Sequence, residues 1–126
     1  MSAPPQVVDA DEFDGLAAVH LPNQGTRDER RCLRIDEATY TEDEFVLVAY
    51  DGGMEVIGTS DPIPAGESFS GAIWLDRPLT ETQTVTVTVH HVEDGEPGEW
   101  VQINGIVVLD NATVGPQEFL GVGRVR

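Results

Sequence analysis

The 126 residues suit one domain able to bury about two-thirds of its unfolded surface. With 23 acidic residues against 7 basic ones, the formal net charge is −16, and the absence of a basic stripe excludes direct nucleic-acid binding through phosphates. One cysteine, Cys32, excludes an intrachain disulfide, and no apolar run reaches the roughly 18 residues that a membrane-inserted helix needs.

In chain order, residues 1–14 read as an irregular arm, acidic and proline-rich. Its opening, MSAPPQVVDADEF, has neither a basic n-region nor an apolar h-region, so no secretory signal and cytoplasmic synthesis are expected. Residues 15–126 read as a single domain. LAAVHL (16–21) is a short strand, and PNQGTRDERR (22–31) a polar loop carrying Arg27, Arg30 and Arg31. CLRIDEA (32–38) alternates, with Leu33 and Ile35 opposite Arg34 once a bulge is allowed. EFVLVAY (44–50) is a nearly continuous run of β-formers, as in a central strand covered on both faces.

DGG (51–53) predicts a tight turn, and MEVIGTS (54–60) the returning arm of a hairpin. DPIPAGES (61–68) is a Pro/Gly connection barred from a central strand. FSGAIWL (69–75), a turn at 76–81, a long strand at 82–92 and a turn at EDGEPGE (93–99) follow. WVQINGIVVL (100–109) and FLGVGRV (119–125) complete the set. No segment sustains a 3.6-residue period. The expected fold is all-β, an immunoglobulin-like β-sandwich of about 7–8 mostly antiparallel strands, with a closed barrel as the alternative.

The long strand, TQTVTVTVHHV, places Thr84, Thr86, Thr88 and His90 on one face and Val85, Val87, Val89 and His91 on the other. The two histidines therefore point to opposite sides and do not bind one metal together. His91 follows the valine face to the sandwich end; His90 is expected to follow the threonine face into solvent. DADEFDG (9–15) departs from a calcium loop, with Phe13 at the fifth position and Asp14 where glycine is required. Calcium between acidic loops stays open as an alternative, through Asp9, Asp11, Asp14 or Asp51. The sequon Asn111-Ala112-Thr113 is a glycosylation site only if the chain is exported.

The chain contains no G-x-S-x-G, H-E-x-x-H or P-loop, so no catalytic residue is named. Strong acidity with lysine absent, all seven basic residues being arginine, fits work in concentrated salt. There the Debye length shrinks to about 3 Å and self-repulsion is screened.

The segments IDEATYTEDEFVLVAYD (35–51), VIGTS (56–60), IPAGES (63–68) and LDRPLTETQTVTVTVHH (75–91) occur in a fixed order. Over about 32–110 the chain thereby resembles an uncharacterised haloarchaeal β-sandwich domain family met in cell-surface and secreted proteins. The resemblance implies a β-sandwich in a high-salt milieu and brings no activity, cofactor or catalytic residue.

The expected function is non-enzymatic: a structural or interaction protein of a halophilic archaeon or its virus. It would serve as subunit or accessory of a larger assembly, a capsid or tail decoration for example, incorporated in a virion. The expected partners are copies of itself or other assembly subunits, met through the arginine loop (Arg27, Arg30, Arg31). The alternative is a calcium- or small-ligand-binding module.

Overall fold

In a computed structural model, which describes residues 17–26 and 31–115, turn-forming sequences cut the chain into β-strands and nothing else. They are β1 (Ala17–His20), β2 (Gln24–Gly25), β3 (Cys32–Tyr40), β4 (Phe45–Tyr50), β5 (Val56–Thr59) and β6 (Phe69–Trp74). Then come β7 (Gln83–Glu93), β8 (Glu96–Trp100), β9 (Gln102–Ile103), β10 (Ile106–Val107) and β11 (Leu109–Gly115). Three of these are two-residue pairings, which leaves eight strands of four residues or more among those described.

Two sheets face each other. One runs β1-β3-β6; the other runs β2-β11-β7-β4-β5, with β8 pairing β7 beyond the end of β11. Every pairing is antiparallel except β2 with β11. The fold is the expected β-sandwich. Its core is Val19, Leu33, Ile35 and Ile73 from the small sheet against Phe45, Leu47, Val85, Val87 and Val89 from the large one. A bulge, for which the reading of CLRIDEA left room, lies in β3, where Ile35 pairs Gly71 but Ala38 pairs Phe69. The extra residue moves the inward set from odd to even positions, so Ala38 and Tyr40 join the core that Leu33 and Ile35 began.

Polar side chains fasten the sheets where the chain crosses between them. Gln24 is buried and acts as a backbone mimic: its Oε1 accepts from Arg34 N at 2.8 Å, and its Nε2 donates to Arg34 O at 2.9 Å. Asp110 Oδ2 accepts from Leu21 N at 2.9 Å, joining β11 to the end of β1.

Three readings of the sequence need correction. WVQINGIVVL is not one strand. Its chain leaves the large sheet at Val101, forms the β9–β10 ribbon and returns at Val108, where Val101 N bonds Val89 O and Val108 N bonds Val101 O. The cause is Asn104-Gly105, both with positive φ (55° and 82°), the pattern of a tight two-residue hairpin turn. The 93–99 turn shrinks to Asp94-Gly95 by the same device (55° and 81°), and its remaining residues pair as β8. LDNATVG forms β11, between β2 and β7 in the large sheet, where the strand read from the sequence stops at Leu109. FLGVGRV and the arm 1–14 lie outside the described residues.

Candidate interaction face

The two sheets do not close on each other along β5 and β6. Both are edge strands: β5 pairs only β4 and β6 pairs only β3 among the described residues. They touch at one end, where Asp76 N bonds Ile57 O at 2.6 Å. Contact there is close because Gly58 has no side chain; a Cβ on it would stand 3.0 Å from Ile73 Cγ2 and 3.3 Å from Trp74 O.

Toward the other end the edges diverge around a groove of about 450 Å³. Ile63, Pro64, Phe69 and Ile73 make its apolar surfaces, and Asp61 and Glu67 are the charged residues lining it. The groove wall is fixed by Ile63, which exchanges backbone hydrogen bonds with Phe45 at 2.7 and 3.0 Å and so prolongs the β5 edge at the residue between Pro62 and Pro64.

At the mouth stands Trp74, 52% exposed. Arg31 lies over its indole, with the guanidinium carbon 5.3 Å from the ring centroid. That arginine is held in place by Leu75 O and Asp76 O, each 2.9 Å from a guanidinium nitrogen. Of the three arginines expected to meet partners, Arg31 thus lies beside the groove. Arg27 and Arg30 are outside the described residues.

A second cluster surrounds His90, which the sequence reading sends into solvent. The ring is instead buried, 6% exposed, as are Thr86 and Thr88 on the same face. This is a correction with a clear cause. β7 is central, so Val46 and Trp100 flank His90 on the two neighbouring strands, and Val48 and Leu109 flank Thr88. A bulge in β8 turns the Gly98 carbonyl onto His90 Nδ1 at 2.9 Å. A carbonyl only accepts, so Nδ1 carries the proton and Nε2 accepts, with Thr88 Oγ1 at 2.6 Å and Tyr50 OH at 3.3 Å. Burial holds the His90 pKa below the usual imidazole value, the nearby His91 adds to this, and the Gly98 bond opposes it. His91 does follow the valine face, edge-on to Tyr40 at 5.7 Å.

Asp51 has its carboxylate occupied. Oδ1 accepts from Gly53 N and Glu55 N at 2.8 and 3.0 Å, and Oδ2 accepts from Arg77 at 2.6 Å. The Glu55 and Gly53 amides and the Arg77 charge hold its pKa below the ordinary carboxylate value against a smaller effect of burial. Asp9, Asp11 and Asp14 lie outside the described residues, and no cluster of three or more potential metal ligands occurs among those described. The positive φ of the 51–55 turn falls on Met54 (65°) and not on either glycine. Asn111 sits within β11 opposite Thr86, partly exposed.

No helix among the described residues is long and apolar enough to cross a membrane. In comparisons with known proteins, the family described as Domain of unknown function (DUF7282) matches residues 17–115. No curated protein and no solved structure matches.

Proposed function

We propose, for a chain that belongs to the family described as Domain of unknown function (DUF7282), a non-enzymatic role as the interaction subunit or accessory of a larger assembly, a virion among them, in a halophilic archaeon or its virus. Contact is made through the open β5–β6 side. The observation that carries this reading is the half-exposed Trp74, stacked by Arg31 at the mouth of an apolar groove between two unpaired edges. Tryptophan and arginine are the residues around which binding energy concentrates in protein interfaces. A net charge of −16 without lysine supports the high-salt milieu and opposes nucleic acid as a partner.

The test is light scattering after size exclusion in about 2–3 M KCl, where exposed charges are screened, on the native chain and on Trp74→Ala, each with and without a chelator. A defined assembly that survives the chelator and is lost in Trp74→Ala is expected. A chain that stays monomeric and loosens only on chelation contradicts the proposal and points to the calcium-binding alternative.

A further inference from the structure

We infer that β6 is an acceptor edge for strand addition, and that its occupant is an extended segment of a protein partner with alternating apolar and basic side chains. This rests on the interaction reading above and gives it a partner chemistry.

The hydrogen-bond phase of β6 follows from one bond. Leu75 N donates to Arg31 O at 2.6 Å, so residue 75 points its backbone groups at the β3 side. In an antiparallel ladder that direction alternates. Ile73, opposite Leu33, and Gly71, opposite Ile35, therefore bond β3, whereas Ser70, Ala72 and Trp74 point theirs the other way. The bulge of this pair inserts its extra residue into β3 and leaves the β6 alternation intact. Trp74 is covered on that side, its carbonyl lying against Gly58. Ser70 and Ala72 are exposed, with their N–H and C=O groups aimed along the open side, a ready template for another strand.

A strand added there has side chains on two faces. Those on the Phe69–Ile73 face enter the groove and meet apolar walls. Its neighbours point outward beside Trp74, whose indole Arg31 already covers on one side. The charged residues lining the groove, Asp61 and Glu67, are both acidic. Charge complementarity selects basic residues at the alternate positions.

Ala72→Pro isolates the mechanism, because it removes an N–H that faces away from β3 and proline is tolerated at such edge positions. Ser70→Pro is the equivalent change on the same edge if the first variant fails to fold. The probe is a short blocked peptide of alternating Val and Arg, followed by Trp74 fluorescence in a Trp100→Phe background, in about 1 M KCl to screen non-specific attraction. The control is the same peptide N-methylated through its central residues, with charge and side chains unchanged.

Saturable binding that weakens at least about ten-fold in the proline variant and with the methylated peptide is expected. No binding, or equal binding in all arms, overturns the inference. The two failures are separable: assembly lost in Trp74→Ala but kept in Ala72→Pro removes strand addition and keeps the face, and assembly kept in both removes the face as well.

Discussion

His90 shows how a residue's chemistry depends on what its strand neighbours cover. The alternation of TVTVTVHH separates the two histidines correctly, but period-two reasoning has no information about how many strands lie beside β7. The ring is buried and held neutral between the Gly98 carbonyl and Thr88. Its stability effect has a definite sign. Above about pH 6.5 the imidazole is neutral in both folded and unfolded chains, and as pH falls below that value the unfolded chain takes up the proton first. Stability therefore declines on acidification, by at most about 1.4 kcal/mol per pH unit from this group. The urea midpoint of the native chain should fall more between pH 7.5 and pH 5.5 than that of His90→Gln. Equal falls would remove His90 from the account.

Met54, at φ 65° and exposed, is strained in a position that suits glycine. Met54→Gly should raise the thermal midpoint by a few degrees, on the order of 1 kcal/mol. An unchanged or lower midpoint would show that the turn is held by Asp51 and Arg77 without cost at Met54.

Elements were legible in the sequence wherever local chemistry dictates them. The continuous apolar run of β4, the alternation of β3, the separation of the two histidines of β7 onto opposite faces and the proline-barred 61–68 connection all appear as read. Misreading concentrated in residues 93–115, where the signal was present in Asp94-Gly95 and Asn104-Gly105 but was outweighed by the apolar appearance of WVQINGIVVL. A run of apolar residues does not distinguish one strand from a strand that departs and returns.

The open edge was not legible at all. It arises from which strands end the two sheets, a property of topology and not of β5 or β6 alone. Gly58 sets how closely those edges approach. Gly58→Val should force them apart at a cost of about 1–3 kcal/mol, read as a lower urea midpoint, while Gly58→Ala should cost less. A Val variant as stable as the native chain would mean that the β5–β6 end yields freely.

At the scale of the whole molecule, charge and topology act in different ways. The excess of 16 negative charges repels itself over the entire surface, whereas the sandwich is held by one apolar core and a few polar fasteners such as Gln24. Raising KCl from about 0.1 M to 2 M shortens the Debye length from about 10 Å to under 3 Å and should raise the thermal midpoint. A midpoint independent of salt would contradict the high-salt reading.

The central claim is that partners meet the open β5–β6 side. Hydroxyl-radical footprinting of the assembled and dissociated protein tests it most directly, since Trp74 and Trp100 are about equally exposed (52% and 50%) and only Trp74 lines the groove. The account predicts that assembly protects Trp74 and leaves Trp100 reactive. Protection of Trp100 with Trp74 still reactive would place the contact elsewhere and contradict it.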